Sequence, residues 1–588
     1  MPDLLIPNDS KHDVSTYKIV IDGTELDSSY QLLSLSVSKE LNHVSSATMI
    51  FRDGDAAMQT FELSNKEDFI PGKKIEISIG RDTVNTSVFK GIIVKHSIKV
   101  KANGNSQLQV ECMDAAVKMT IGRYSKYFEN VKDSDVFDDL ITKYSLTSDP
   151  ETTSFNHKEL VQHHISDWDF MLLRAEANGM LVNVDDGAIR IAKPKIQTEV
   201  LQVNYGSSVL EFEAEIDARN QFKSIQAQSW DYSNQQLFKA DTSSSSFAEQ
   251  GNLDAESLAE AVSPDEYEMH HSGHKLEQEL QDWVDGTMLR SRLAKIRGRA
   301  KFAGFAGIKP GDTVLLSGVG DRFNGKTYVT AVRQDVGEGT WNTHIQFGLD
   351  PGKYSFKHND INDAPSAGLV GGIRGLQIGI VVQLQSDPDG EYRIRVRIPV
   401  IDNSDQGIWT RIASLDAGDD RGAFFMPEIG DEVIVGFINN DPNDPVVLGM
   451  LHSSNKPAPI TPQDANNEKG FTTRSKMHLS FNDDTKTIVI DTPAGNSITI
   501  DEQSMKIEIK DQNGNSVKME TSGITLESPA NIDIKAGAVL TLVGGALLSI
   551  GAPSLSVKAD ADVAIQGAVA KLSSSGITEI SGSIVKIN

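Results

Sequence analysis

From about Thr487 to Asn588 the chain is a string of apolar-x-apolar pairs with Gly, Ser, Asn, Asp and Pro between them. Ile488/Ile490, Ile498/Ile500, Ile507/Ile509 and Val517/Met519 recur every nine or ten residues. From Ile524/Leu526 the step shortens to seven or eight, through Ile532/Ile534, Leu540/Leu542, Leu548/Ile550, Leu555/Val557, Val563/Ile565 and Ala570/Leu572, and Val585/Ile587 ends the series. A period this short marks stacked strands and turns rather than a domain with a round core. No Phe, Trp or Tyr follows Phe481, so a core built from these residues is aliphatic and narrow. The expectation is a long, thin β-helix. Read alone, it could be a single-chain solenoid.

A chain of 588 residues is long enough for several domains, and 39% apolar residues can build ordinary cores. The net charge of −26 argues against nucleic acid or an anionic membrane surface as partner, because both need clustered Lys and Arg. The one cysteine, Cys112, stands in an alternating stretch, Gln109-Val110-Glu111-Cys112-Met113, and reads as a small buried hydrophobe. Met1-Pro2-Asp3-Leu4-Leu5-Ile6 lacks the basic and apolar regions of a secretory signal, so synthesis in the cytoplasm without a signal peptide is expected. No window approaches 18 uninterrupted apolar residues, and no transmembrane helix is expected.

Ahead of the repeat the chain reads as mainly β. Thr16–Ile21, Lys74–Ile79 and Leu108–Cys112 alternate apolar and polar residues, with turn signals at Pro71-Gly72 and Asn103-Gly104. Helices are predicted at Ser134–Tyr144, with Ser134 or Asp135 as cap, at Ser166–Ala177 and at Lys275–Lys295. Strands at Met180–Ile191 turn at Asp186-Gly187, and the polar stretch Ser229–Asp265 reads as a surface insertion or long loop. A duplication shows faintly. Pro71-Gly72 launches one strand and Phe89-Lys90-Gly91 the next, as Pro310-Gly311 and Phe323-Asn324-Gly325 do further on. Two related small barrels would explain it. The expected divisions are 1–352, a domain with two such barrels and a few helices; 353–374, a linker; 375–455, an OB-like barrel; 456–475, a Pro-rich linker; and 476–588, the β-helix.

Enzyme signatures are missing. There is no Gly-x-Ser-x-Gly and no His-Glu-x-x-His. Gly320-Asp321-Arg322-Phe323-Asn324-Gly325-Lys326-Thr327 matches a P-loop formally, but the β-branched run after it reads as a strand, where a working P-loop needs a helix. His270, His271 and His274 are the one dense histidine cluster; they read as a solvated loop, with metal binding as the alternative. Asp387–Gly390 and Asp511–Asn515 lack the distant bidentate Glu of a calcium loop and read as hairpin turns. No catalytic residue, metal or cofactor is expected.

Gly430-Asp431-Glu432-Val433-Ile434-Val435-Gly436-Phe437, followed by Asn440-Asp441-Pro442-Asn443-Asp444-Pro445-Val446-Val447-Leu448-Gly449, resembles the OB-domain signature of VgrG-type spike proteins. Trp409–Ser414 and Phe424–Glu428 fit the same signature. Ser166-Asp167-Trp168-Asp169-Phe170-Met171 with Glu176–Gly179 looks like a helix of that family's hub, and Thr473–Asp483 like its entry into the β-helix. The resemblance implies a homotrimer serving as the structural spike and hub of a contractile injection system: a type VI secretion system, an extracellular phage-tail-like particle or a phage baseplate. Two related barrels from each of three chains would make a pseudo-six-fold ring matching a hexameric inner-tube protein, with baseplate proteins around it. A PAAR-like protein would cap the far end, and effector cargo could ride on either. Such a spike is assembled at the tip of the apparatus and ejected from the cell or carried on an extracellular particle.

On this reading the C-terminal strands of three chains intertwine into one prism. Apolar residues face its axis and small residues turn the corners, so that strand edges pair between chains. With about 4.8 Å per strand and roughly a dozen steps, the shaft is about 60 Å long. The expected trimer core includes Ile524, Ile532, Ile534, Leu540, Leu548, Ile550, Leu555, Val563 and Ile565. The series ends without a polar cap, which suggests a tip partner over Val585, Ile587 and Asn588, unless these residues face the trimer axis. Four Lys balance four acidic residues from Ala530 onward, which suits a shaft that crosses a membrane; small polar corner residues explain it equally well. The rival from another class is a β-helical polysaccharide-binding or polysaccharide-cleaving tailspike, which would need a groove lined by aromatic residues and carboxylates.

Overall fold

The computed structural model describes residues 14–101 and 106–587. Met1–Ile6, Asn103-Gly104 and Asn588, on which readings above fall, lie outside the described residues. The chain divides into two compact units between Met450 and Leu451.

Twelve strands make up nearly all of the large sheet of the first unit: β1 (Ser15–Ile21), β2 (Leu32–Glu40), β3 (Ser46–Arg52), β4 (Lys74–Arg81), β5 (Val84–Lys99), β6 (Gln107–Met113), β7 (Leu201–Asn204), β8 (Val209–Ile216), β9 (Ile296–Ala303), β10 (Thr313–Ser317), β11 (Gly325–Gly337) and β12 (Thr340–Phe347). Alternation decides which faces turn inward. Leu35 and Val37 of β2, Met49 and Phe51 of β3 and Ile75, Ile77 and Ile79 of β4 are buried, while Ser34, Ser36 and Ser38 point the other way. Cys112 lies in this core, and burial pushes its thiol up to about 12.

The strands fall into two halves with the same neighbour order, β2-β3-β6-β5-β4-β1 and β8-β9-β12-β11-β10-β7, joined into one sheet where β11 pairs with β2. The halves agree in detail except at the last strand, where β1 runs antiparallel to β4 but β7 parallel to β10. In both, a Pro-Gly turn sets glycine at positive φ, 102° for Gly72 and 95° for Gly311, which favours residues without a Cβ. Gly72 N–H donates to the Ile93 carbonyl and Ile93 N–H to the Lys73 carbonyl; Gly311 and Val329, then Val329 and Asp312, repeat this. A bulge between Ile93 and Lys95 matches one between Val329 and Ala331, and a bulge between Leu32 and Ser34 matches one between Val209 and Glu211. The duplication is therefore structural. The Phe-x-Gly part of the match is not: Phe89-Lys90-Gly91 lies inside the long strand β5, whereas Phe323–Gly325 is a turn leading into β11. The formal P-loop falls on that second turn, and a strand follows it.

Between the halves in sequence lie α1 (Asp133–Thr142) and α2 (Asp167–Ala177), while α3 (Ala255–Val262) and α4 (Glu277–Leu293) are inserted in the second half between β8 and β9. Ser166 caps α2 by accepting from Asp169 N–H at 3.0 Å. α1 starts one residue earlier than expected; neither Ser134 nor Asp135 is its cap residue, although the Asp135 carboxylate accepts from Lys132 N–H. The Ser-Asp-Trp-Asp run is a structural hub. Asp167 is buried, takes the Lys143 ammonium at 2.6 Å and the Tyr144 hydroxyl at 2.8 Å, and Asp169 accepts from Tyr354. Ser229–Asp265 is not one long loop. It contributes a hairpin, Ile225–Asp231 with Gln236–Thr242, and then α3; the hairpin packs its apolar face on Leu280, Val284 and Met288 of α4.

α2 and α4 approach closely at two glycines. A Cβ on Gly286 would lie 2.8 Å from the Gly179 Cα and 2.8 Å from its nitrogen. Backbone cannot yield as a side chain can, so Gly286→Val should cost about 1–3 kcal/mol, measured as a lower unfolding midpoint in denaturant.

From Gln377 to Met450 five strands close into a barrel. In neighbour order they are Gln377–Gln383, Ile394–Arg397, Ile408–Ile412, Pro445–Met450 and Glu432–Phe437. Val381, Ile394, Val396, Val433, Val435 and Val447 fill it. Asp387 is gripped by the Arg393 guanidinium, which holds its carboxyl well below the usual range and closes the expected hairpin turn.

In the second unit a seven-stranded antiparallel meander runs from Glu468–Thr472 to Gly523–Glu527. The nine-to-ten-residue step thus has a cause: a five-residue strand and a tight turn return the chain beside itself. Asp511 organises one such turn, its carboxyl held down to about 2 by bonds from the Asn515 side chain and neighbouring amides. Beyond Glu527 the described residues form no strand within the chain. The expected single β-helix is therefore two segments, a paired meander as far as Glu527 and a stretch without strands beyond it.

Candidate functional site

The register of the meander lines up the apolar pairs of successive strands. Leu479, Ile490, Ile498, Ile509, Val517 and Leu526 stand opposite one another in one column. Phe481, Ile488, Ile500, Ile507, Met519 and Ile524 form a second column on the same face. Cross-strand pairs of this kind are the unit of sheet stability. The other face carries Thr499, Glu508 and Lys518, with ion pairs such as Lys506–Glu508 at 3.0 Å and Lys518–Glu520 at 2.9 Å.

Among the described residues nothing of the chain covers this apolar face. Ile490 is 48% exposed and Ile509 44%, and the first column lines an open trough of about 600 Å³ that extends to Ile532. Soluble single chains rarely present a continuous apolar stripe of this length. Of the expected core set, Ile524, Ile532, Ile534, Leu540, Leu548, Ile550, Leu555, Val563 and Ile565 are all exposed, each by more than half. The structure brings Ile524 into the second column and Ile532 to the mouth of the trough; the others lie on the strandless segment. The columns upstream of Ile524 were not in that set, although their spacing was visible in the sequence. Val585 and Ile587 are exposed at the end of the described residues, and Asn588 lies beyond them.

The other candidates are accounted for locally. His270 and His271 sit on a strand, Tyr267–His271, rather than in a loop, and His274 packs on Tyr232 and Phe238 with its ring nitrogen at the Trp230 carbonyl. Among the described residues no cluster of His, Cys, Asp or Glu is arranged to hold a metal ion. No helix among them is long and apolar enough to cross a membrane.

A doubled β unit, a closed OB-type barrel and a sheet with one uncovered apolar face define a structural assembly subunit. Residues 11–338, more than half the chain, match the family model described as the Alg8 N-terminal domain. Residues 377–452 match the type VI secretion system/phage-baseplate injector OB domain, and 487–561 the phage baseplate V C-terminal trimerisation domain. The chain belongs to the Alg8 N-terminal domain family and, with its OB and trimerisation domains, to the VgrG-type spike proteins. It is 28% identical over 118 residues to the type VI secretion system spike protein VgrG3 of Vibrio cholerae, a match covering 19% of this chain and 12% of that one. With VgrG1b of Pseudomonas aeruginosa it shares 23% identity over 227 residues, 36% of this chain and 29% of the relative. These matches thus span less than a third of either relative. Among solved structures, the E. coli c3393 protein, a component of the type VI secretion system, aligns at 11% identity and a TM-score of 0.36 over 74% of this chain and 100% of its own. The lidless PdpA-VgrG complex gives 11%, a TM-score of 0.38, and 88% and 98%.

Proposed function

We propose that three copies of this chain form the central spike of a contractile injection machine. The hub domain receives a hexameric inner tube, and the C-terminal segments wind together into a shaft that is driven through the target envelope with any effector cargo it carries. The observation that carries this is the uncovered apolar stripe from Leu479 to Ile532, continued by apolar pairs every seven or eight residues on a segment without strands of its own. Backbone amides and carbonyls in such a segment need partners, and two further copies supply both those partners and the missing wall of the trough. The trimerisation-domain match over 487–561 supports the count of three.

A PAAR-like protein covering Val585, Ile587 and Asn588 completes the tip on this reading. The tailspike alternative finds no support, because Phe481 is the last aromatic residue and the exposed face is aliphatic. The mass of the full chain in solution tests the proposal. A trimer that persists at nanomolar protein is expected, and a stable monomer refutes it.

A further inference from the structure

The two related halves of the hub differ in how their open edges are used: one of the two strand junctions that the duplication calls for is made within the chain, and among the described residues the other is not. In the second half, β10 pairs with β11 only through Gly325–Tyr328, and β2 of the first half then takes the vacated edge along Ala331–Gly337. In the first half, β4 likewise leaves β5 at Ile92. Among the described residues no strand takes the edge that follows, Lys95–Lys101. The counterpart of β2 is β8, which pairs with β9 alone and ends the sheet. An unpaired edge of this length is a template for another strand.

The shared bulges set the register without adjustment. Ile93 corresponds to Val329 and Val37 to Ala214. The observed pairs Asp335↔Ser36 and Gln334↔Val37 then translate into Lys99 opposite Glu213 and Ile98 opposite Ala214. The same shift sets Lys95 opposite Asp217, Lys101 opposite Glu211 and Val100 opposite Phe212. On one face every lysine meets a carboxylate. On the other, Ile98 and Val100, 50% and 68% exposed, meet Ala214 and Phe212, which are only partly buried on the second core. A register one residue off would set lysines against apolar residues. Charge and hydrophobicity thus exclude a one-residue slip, and the shared bulges choose among the remaining registers.

From this we infer that β8 of one copy adds antiparallel to the Lys95–Lys101 edge of β5 in a neighbouring copy, repeating between chains the β2–β11 junction seen within one. The contact is head-to-tail, so it propagates around a ring rather than joining two chains symmetrically. Closure at three chains rests on the trimer reading above; the pairing itself rests on the duplicated strands.

Cross-linking the full chain tests it. Lys99→Cys with Glu213→Cys, joined by oxidation or a short bis-maleimide, should link chains into dimers and trimers but no higher species. Lys95→Cys with Glu211→Cys, displaced six residues along the strand, should not. Cys112 is buried and stays out of the reaction. In a Ser97→Cys/Glu215→Cys background, whose residues the same register sets opposite each other, Lys99→Glu should lower the linked fraction and Glu213→Lys added to it should restore it. A trimer by mass whose Lys99/Glu213 pair links no better than the displaced pair overturns the edge pairing and leaves the trimer reading intact. A monomer by mass overturns both.

Discussion

Ile532→Asp and Leu548→Asp are expected to abolish the trimeric shaft while leaving the hub folded. Both side chains are about half exposed in the single chain, so neither holds the isolated fold together. In three wound chains each becomes part of an interior, and one substitution places three carboxylates side by side there. Losing a buried Ile or Leu removes about 1.5–3 kcal/mol per chain, and an unpaired buried charge adds several more per ion. The sum over three chains exceeds 10 kcal/mol on the order of these values, enough to dissociate most oligomers at micromolar protein. Sedimentation should give monomer, protease should degrade the segment after Glu527, and the hub's unfolding transition should stay in place. A protease-resistant trimeric shaft in either variant would show that these residues do not face an axis.

Asp133→Ala should destabilise the hub by about 3–5 kcal/mol. Asp133 is almost fully buried at the start of α1. Arg174 of α2 grips it with two bonds, at 2.6 and 2.8 Å, while His157 at 3.0 Å and the Asn178 amide at 2.8 Å complete its shell. Burial opposes the charge, but these donors outweigh it and hold the carboxyl well below its ordinary 3.8. Because the folded value is depressed, the stabilisation is fully present above the ordinary value and is lost as pH falls through the folded one. The gap between wild type and Asp133→Ala should therefore be widest near pH 7 and shrink below about pH 4. Denaturant titration followed by fluorescence of Trp168, buried in the adjoining core, measures it. A gap that does not change with pH would place the loss in packing rather than charge.

Much of the architecture was legible because strand and helix periods are local. Thr16–Ile21, Lys74–Ile79 and Glu432–Phe437 alternate as they fold, and the cap at Ser166 with Gly179 beyond Ala177 bounds α2 within a residue. Of the two readings of Ser229–Asp265, the long loop fails because polar composition hides its hairpin and α3: of that stretch only Ala240 is fully buried in the core on α4, and its companions Ile225, Ala227 and Met269 lie outside it. The Phe-x-Gly match misled because a bulged strand and a turn can share a spelling.

What the sequence by itself determined is which side of each strand is apolar and how often the chain can turn, since both follow from side-chain alternation and residue spacing. Which strands become neighbours was decided only in three dimensions. Pairing joins residues far apart in sequence, as Val37 and Gln334 show, and the chain's own spelling does not record such partners. The shaft illustrates both. Its apolar pairs announce a buried face, while the tertiary structure leaves that face uncovered, because the meander ends at Glu527 and no described residue beyond it returns as a strand.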